Sequence, residues 1–260
     1  MKKFLLPLLI IFTIVISSIV IFRNYVLADK AKGNASSTQN SQGSASTTNS
    51  KPTFPGYDET LQKEGDSNIV TNPSSLLVLV DKQRKLPSNY VPEDLVKPDV
   101  LFNAGDKTAH PTLRKEAANS LENLFKQAKK DDITLYLVSG YRSYQSQEQL
   151  FNSYVKKQGK QSAEQYSALP GTSEHQTGLA ADVTSKSLLM ELNETFGDTP
   201  EGKWLKDHAH EFGFIISYPE DKTTITGYAY EPWHIRYVGN PQATYIYNHQ
   251  LTLEEAVKNK

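Results

Sequence analysis

Cysteine is absent from this chain, and its absence removes several kinds of chemistry. Without thiols the protein has no disulfide, no thiolate zinc site, no cysteine nucleophile and no lipid-modified N-terminal cysteine. A surplus of charge is missing as well, because the formal net charge is -1 at pH 7 and no Arg/Lys block stands beside aromatic residues. The sequence therefore indicates no nucleic-acid partner, and any reaction must use His, Asp, Glu, Ser, Arg or Tyr.

Charged residues are also missing from the apolar run between Lys3 and Arg23. A run of this length just spans a bilayer core of about 30 Å at ~1.5 Å per residue. We expect residues 1–28 to be a signal sequence or a membrane anchor, and we favour the anchor because the apolar part of a signal is usually shorter. Small residues near Ala28 keep cleavage open. Either way, Lys2 and Lys3 stay inside and the remainder lies outside the cytoplasm.

Apolar residues are scarce from residue 29 to residue 72, where Ser, Thr, Asn, Gln and Gly predominate. A segment of this composition buries too little apolar surface to offset the entropy lost on ordering. We therefore expect a flexible linker over residues 29–72. Residues 73–260 are expected to form one folded domain that acts as a monomer.

Hydrophobic periodicity in the folded part predicts helices that alternate with short strands. Helices are predicted for residues 112–130, 144–157, 188–196, 202–212 and 241–257. Strands are predicted for residues 133–138, 180–184, 214–216 and 233–238. Thr112 is the expected N-cap of the first helix.

The stretch PGTSEHQTGLAADVT (residues 170–184) carries His175, Gly178 and Asp182, and Glu231 and His234 follow about fifty residues later. Zinc in hydrolases usually keeps three protein ligands and one position for water, whose pKa then falls to about 7. His175 and Asp182 can meet across a turn that Gly178 permits, and His234 can complete the set. The remaining carboxylate, Glu231, can accept the proton of the water and pass it to a leaving amine.

Arg142 follows the predicted strand 133–138 and precedes the predicted helix 144–157. Free backbone N–H groups at a helix start and a guanidinium both attract anions, so this turn can hold a carboxylate or a developing oxyanion. The alternative is an arginine that only binds loop carbonyls.

Three motifs in order, Ser-Gly-Tyr-Arg-Ser, Ser-x-His-x2-Gly-x-Ala-x-Asp and Glu-x-Trp-His, resemble those of a zinc peptidase family. The family contains the D-alanyl-D-alanine carboxypeptidases of the vancomycin-resistance type (VanY) and the LD-carboxypeptidases (LdcB/DacB). The resemblance covers about residues 75–245. It implies His175, Asp182 and His234 as Zn2+ ligands, Glu231 as catalytic base and Arg142 as the stabilising cation.

The same resemblance implies that Ser173 and Gln147 contact substrate, as in the LD-type members. It also implies an α+β fold, a small antiparallel sheet flanked by helices, similar to the zinc-binding core of Hedgehog domains. The implied function is removal of the C-terminal D-alanine from peptidoglycan stem peptides outside the cytoplasm.

Two other functions stay open. One is a catalytically inactive zinc-containing module of the same fold that binds the cell wall, and the other is a wall-binding protein without metal. The presence of Glu231 argues against the first, since a structural zinc needs no spare carboxylate. The motifs leave DD and LD specificity open, with Ser173 and Gln147 favouring LD.

Overall fold

Helices surround a small antiparallel sheet in the part of the chain that this computed structural model describes, residues 51–103 and 111–258. The strands are β1 (Leu61–Glu64), β2 (Ser67–Val70), β3 (Leu95–Val96), β4 (Leu113–Arg114), β5 (Tyr136–Ser139), β6 (Ala180–Thr184), β7 (Phe214–Ile216) and β8 (His234–Tyr237). The α-helices are α1 (Lys115–Lys130), α2 (Tyr144–Gln158), α3 (Lys160–Tyr166), α4 (Pro200–His208), α5 (Thr223–Thr226), α6 (Gln242–Asn248) and α7 (Leu253–Lys258). The predicted α+β class is confirmed.

The main sheet has the strand order β5-β6-β8-β7, and all of its pairs are antiparallel. Strand β6 is buried at every residue, and its sequence AADVT supplies small and β-branched side chains that suit a covered strand. The register places Asp182 of β6 opposite His234 of β8 and beside Ser139 of β5. Directly opposed residues of antiparallel strands project from the same face, so the sheet itself brings these side chains together.

Helix α1 covers the sheet with a stripe of small and aliphatic residues. Ala117, Leu121, Leu124 and Ala128 recur every three or four positions and are fully buried in the main core. Each buried leucine stabilises the fold by roughly 1.5–3 kcal/mol. The helix begins at Lys115, later than predicted, because Leu113 and Arg114 pair with β3.

The segment before the sheet is folded from residue 51 onward. Phe54 is 2% exposed, and β1 and β2 form a hairpin in which Val70 is buried. The linker predicted for residues 29–72 is therefore wrong over residues 51–72. A few apolar residues of this segment, such as Phe54 and Val70, are buried, although the average composition of the segment is polar. The remaining predicted segments, residues 1–28 and 29–50, lie outside the described residues.

Two predicted helices are interrupted. Residues 188–196 form separate 3-10 turns, since Leu189 and Met190 adopt positive φ angles of 54° and 69°. The helix predicted for residues 241–257 is divided into α6 and α7, and between them Gln250 has φ 52°. Left-handed backbone cannot continue a right-handed helix.

The other predicted elements are present, some of them with shifted ends. Helix α2 matches its prediction to within a residue, and β6 matches at both ends. The predicted helix 202–212 starts at Pro200, where Thr199 caps it, and gives way to a 3-10 turn after His208. Within residues 51–103 and 111–258, no helix has the length and apolar character needed to cross a membrane.

Candidate metal centre

The side chains of His175, Asp182 and His234 meet in the interior, and one ligand atom from each lies within 4.8 Å of the other two. All three residues are buried. Asp182 bridges the two rings, with Oδ2 3.2 Å from Nε2 of His175 and Oδ1 3.0 Å from Nδ1 of His234. The spacing lets all three reach one small cation.

A tight turn just before β6 carries His175 and places it next to the start of that strand. The residues Glu174–Thr177 form a 3-10 turn that ends at Gly178, whose φ of 69° is left-handed. A Cβ atom at this glycine would lie 3.0 Å from side-chain atoms of Arg114 and Leu95, so both conformation and space favour glycine. The bend predicted from Gly178 is therefore present.

The Nδ1 atom of His175 is 2.7 Å from the carbonyl oxygen of Gly140. A neutral imidazole donates from one nitrogen and accepts at the other, so a proton on Nδ1 leaves Nε2 as the free electron pair. That pair faces Asp182 and the centre of the cluster. This ring is thus oriented as a metal-binding histidine usually is.

The charges of the cluster suit a cation. Burial lowers the pKa of His175, with a further contribution from the Arg142 guanidinium, which keeps the ring neutral. Burial alone would raise the pKa of Asp182, but the two imidazoles bring it below its ordinary value. Burial would likewise lower the pKa of His234, yet its bonds to Asp182 and Glu174 raise it to about 10. A metal ion can replace the proton that His234 shares with Asp182, and two nitrogens with one carboxylate are donors that zinc accepts.

Glu231 lies at the start of the turn that leads into β8. Its N–H donates to the Tyr218 carbonyl at 3.0 Å, and its carbonyl accepts from the His234 N–H at 3.1 Å. Burial raises the pKa of Glu231 to about 7, and the charges of Asp182 and Glu174 act in the same direction. A carboxyl group with a pKa near neutrality can both accept and release a proton.

Arg142 is tied to the same cluster through main chain and side chain. Its N–H donates to the His175 carbonyl at 3.1 Å, while its guanidinium donates to Gln147 Oε1 at 3.0 Å and to Ser139 Oγ at 3.2 Å. It precedes α2, whose N-cap Ser143 accepts from the Ser146 N–H. The predicted strand-to-helix turn is present.

Gln147 is a buried hydrogen-bond partner of the Arg142 guanidinium. Gln147 is 1% exposed, and its amide N–H groups donate to Ser167 Oγ at 3.2 Å and to the Ala168 carbonyl at 2.7 Å. Its side chain thus hydrogen-bonds to protein partners, and its predicted contact with substrate stays a prediction. Ser173 is buried next to the turn that carries His175.

Sequence reasoning missed four residues that contact His234 or its neighbour Glu174. The Tyr218 ring stacks on His234 with a centroid separation of 4.9 Å, and Glu174 binds His234, Ser217 and Arg236. Burial alone would raise the pKa of Glu174, but Arg236 and His234 lower it to about 2. The available signal was Arg236, a charged residue two positions after His234 on a covered strand, where it needs a buried anion.

A buried His-Asp-His set with a nearby carboxylate of raised pKa, on a small α+β fold, defines a metal-dependent hydrolase. Residues 110–240 match the family described as VanY, D-alanyl-D-alanine carboxypeptidase. The chain belongs to this family of peptidases, as its motifs indicate.

Individual relatives and solved structures are consistent with membership of this peptidase family. YodJ of Bacillus subtilis (strain 168), which carries the name of a carboxypeptidase, is 46% identical over 228 residues, covering 88% of this chain and 80% of that protein. The structure of the LD-carboxypeptidase LdcB is 49% identical, with a TM-score of 0.72, over 75% of this chain and 92% of that one. The D,D-pentapeptidase VanY of a VanB-type resistance cassette, solved with Zn(II), is 35% identical, with a TM-score of 0.57, over 70% of this chain and 98% of that one.

Proposed function

We propose that this protein is a zinc-dependent carboxypeptidase that removes the C-terminal D-alanine from peptidoglycan stem peptides. The observation that carries the proposal is the buried cluster of His175, Asp182 and His234, with Glu231 beside it. Family membership supports the same reaction class. The relatives LdcB and VanY, named as carboxypeptidase and pentapeptidase, support the substrate class.

In this proposal His175, Asp182 and His234 hold the zinc ion. Neutral His175 offers Nε2, Asp182 offers a carboxylate oxygen and His234 offers Nδ1, the nitrogen that faces Asp182. When bound, zinc supplies Lewis acidity, which makes water acidic enough to lose a proton near pH 7. The buried surroundings strengthen every charge interaction within the site.

Glu231 is the proposed general base and then the general acid. Its carboxylate accepts a proton from the attacking water and returns it to the amine of the departing D-alanine. The pKa of about 7 matches this double role, because the driving forces for taking and giving the proton are then similar.

Arg142 is the proposed anion-binding residue, for the substrate carboxylate or for the oxyanion that develops during attack. Two acceptors, Gln147 and Ser139, fix the direction of its guanidinium. Gln147 is therefore proposed to position Arg142. Ser173, beside the His175 turn, remains the proposed direct contact with the peptide.

Specificity for an LD bond, in a tetrapeptide stem whose D-alanine follows an L-centre, is the form we propose. The likeness to the LD-carboxypeptidase LdcB, at 49% identity and a TM-score of 0.72, exceeds that to the D,D-pentapeptidase VanY on both measures. Defined tetrapeptide and pentapeptide muropeptides, incubated with the purified protein and weighed by mass spectrometry, test this. Loss of D-alanine from the tetrapeptide is expected, and loss from the pentapeptide alone would contradict it.

Substitution Glu231→Ala tests the catalytic role. We expect release of D-alanine to fall by about 10²–10⁴-fold, the usual contribution of a general base, while stoichiometric zinc remains bound. Release is measured by mass spectrometry and zinc by atomic emission.

The control is Glu220→Ala, an exposed glutamate whose loss should change neither quantity. Unchanged D-alanine release in Glu231→Ala would remove Glu231 as the base. A wild-type protein that binds zinc and releases no D-alanine would favour the inactive wall-binding module, and one that binds no zinc would favour a wall protein without metal.

Action outside the cytoplasm follows from a cell-wall substrate, and we propose attachment to the membrane through residues 1–28 as a monomer. N-terminal sequencing of protein from membrane and soluble fractions distinguishes a retained anchor from a cleaved signal. Sedimentation of the detergent-solubilised protein tests the monomer.

A further inference from the structure

Glu174 is a buried carboxylate inside the proposed active site for which the reaction described above has no use. Its side chain is 5% exposed. One oxygen, Oε1, lies 2.8 Å from Nη1 of Arg236. The other, Oε2, lies 2.9 Å from Nε2 of His234 and 2.7 Å from Oγ of Ser217. Both oxygens are therefore held by specific groups.

Arg236 fixes the orientation of this carboxylate. The guanidinium is fully buried and also donates to the carbonyls of Leu76, Val78 and Tyr237 at 2.9–3.1 Å. A guanidinium can only donate, and these backbone acceptors prevent it from turning. Oε1 of Glu174 must therefore face Arg236, which leaves Oε2 for the histidine.

A carboxylate accepts hydrogen bonds and does not donate them, so the group opposite Oε2 must carry a proton. His234 thus keeps its proton on Nε2. The proton that Nδ1 shares with Asp182, 3.0 Å away, is the one that a metal can replace, so the electron pair for a metal is on Nδ1. His175 has the opposite arrangement, with Nδ1 facing the Gly140 carbonyl. Stacking of Tyr218 on the His234 ring restrains the ring plane.

We propose that Glu174 is a positioning residue that holds the proton of His234 on Nε2 and so presents Nδ1 to the metal, with Arg236 as its anchor. The proposal rests on the metal site proposed above. Partners of this kind commonly raise metal affinity or activity by about 10–100-fold.

Substitution Glu174→Gln tests the proposal at nearly constant shape. Because Arg236 can only donate, it selects the amide oxygen of the new side chain and turns the amide NH2 toward His234. A donor at this place favours His234 with its proton on Nδ1, the nitrogen that the metal needs. We expect the zinc dissociation constant to rise by about 10–100-fold.

Zinc affinity is measured by competition with a chromophoric chelator, and the Co2+-substituted protein gives an absorption spectrum that reports ligand geometry. Two variants are matched controls. Ser217→Ala removes only the hydroxyl that donates to Oε2. Glu255→Gln removes a half-buried carboxylate that pairs with Lys222 at 3.0 Å, outside the site. Both should bind zinc within about threefold of wild type, since the Glu174 carboxylate is intact in each.

A wild-type measurement keeps the proposal testable if Glu174→Gln does not fold. Long-range proton–nitrogen NMR of the zinc-loaded protein should show His234 protonated on Nε2 and His175 protonated on Nδ1. His234 protonated on Nδ1, or unchanged zinc affinity in folded Glu174→Gln, would overturn the role of Glu174. Absence of zinc binding by the wild type would instead overturn the proposed function.

Discussion

Two arginines, Arg84 and Arg236, are both fully buried, yet they belong to different parts of the molecule. Arg84 donates to neutral oxygens, the carbonyls of Leu79 and Tyr57 and the hydroxyl of Thr60. It thereby fastens the N-terminal segment to the rest of the described unit. Arg236 also binds carbonyls, but in addition it pairs with Glu174, which contacts His234.

The difference shows how one residue type serves structure in one place and the site in another. A buried guanidinium surrounded by carbonyls loses its hydration and recovers hydrogen bonds. With a carboxylate partner it also fixes an anion, and that anion can direct a proton on a third group. The region around Arg84 is therefore expected to affect stability alone, whereas the region around Arg236 affects stability and metal binding together.

Removal of the metal should give the largest difference between the region around Arg236 and the region around Arg84. Dialysis against a chelator is expected to lower D-alanine release by more than about 1,000-fold, because the proposed reaction depends on zinc. Amide hydrogens of β6 and β8 should exchange faster in the metal-free protein, while those of β1 and β2 should not, since bound ligand stabilises the structure that holds it. Hydrogen exchange with mass spectrometry measures both regions. Equal acceleration in both would mean that the site and the N-terminal segment unfold as one unit.

Parallel substitutions, Arg84→Met and Arg236→Met, should give the next largest effects. Arg236→Met leaves Glu174 without its cation, so we expect a loss of about 3–5 kcal/mol in unfolding free energy and zinc binding weaker by about 10-fold or more. Arg84→Met leaves neutral acceptors unpaired at about 1–3 kcal/mol each, with zinc affinity within about twofold of wild type. Urea unfolding and chelator competition measure the two quantities. Weaker zinc binding in Arg84→Met to the same degree would remove the distinction between the regions.

The smallest expected effect concerns Glu254, at the start of α7. This glutamate is buried, and among the described residues no guanidinium pairs with it. Burial raises the pKa of Glu254 to about 7, whereas its ordinary value is 4.5. Between these values the folded protein binds more protons than the unfolded chain, so this group makes stability fall as pH rises from about 4.5 to about 7. Glu254→Gln cannot ionise and should be more stable than wild type by on the order of 1–3 kcal/mol at pH 8, with little difference at pH 4.

Thermal unfolding at a series of pH values measures this difference. Glu255→Gln on the same helix serves as control, since it removes the ion pair with Lys222 and should lower stability at pH 8 by about 0–1 kcal/mol. A fall in stability of Glu254→Gln at pH 8 would show that the carboxylate has a stabilising partner in solution.

Local patterns were enough where the determining interactions lie close in sequence. The stretch AADVT was predicted as a strand and forms β6. The apolar residues Tyr144, Phe151 and Tyr154 near one helical face predicted α2. Local patterns did not predict the structure where left-handed residues end a helix or where contacts with distant residues order a segment. Leu189 and Gln250 interrupt helices that periodicity alone would continue, and Phe54 is ordered by a cluster that includes Val238 and Ile246.

The candidate site shows the same division. The sequence predicted the metal ligands and the catalytic base because zinc chemistry requires particular side chains and because the motifs contain them at fixed spacing. These residues are His175, Asp182, His234 and Glu231. The substrate contact expected for Gln147 stays a prediction, and the structure adds that its side chain hydrogen-bonds to Arg142 and to the Ala168 carbonyl. Its environment depends on residues twenty positions away, which spacing does not reveal.

By itself, the sequence determined the three side chains able to hold a metal, because zinc chemistry demands particular residue types. It also determined the family, and through that resemblance the reaction class and the α+β fold, because three motifs occur in the family's order. Only the tertiary structure decided that residues 51–72 join the fold and that Glu174 links His234 to Arg236. The Glu174 contacts join residues about sixty positions apart, and Phe54 packs with Val238 and Ile246 from the far end of the chain, so burial and pairing register, rather than local propensity, select these partners.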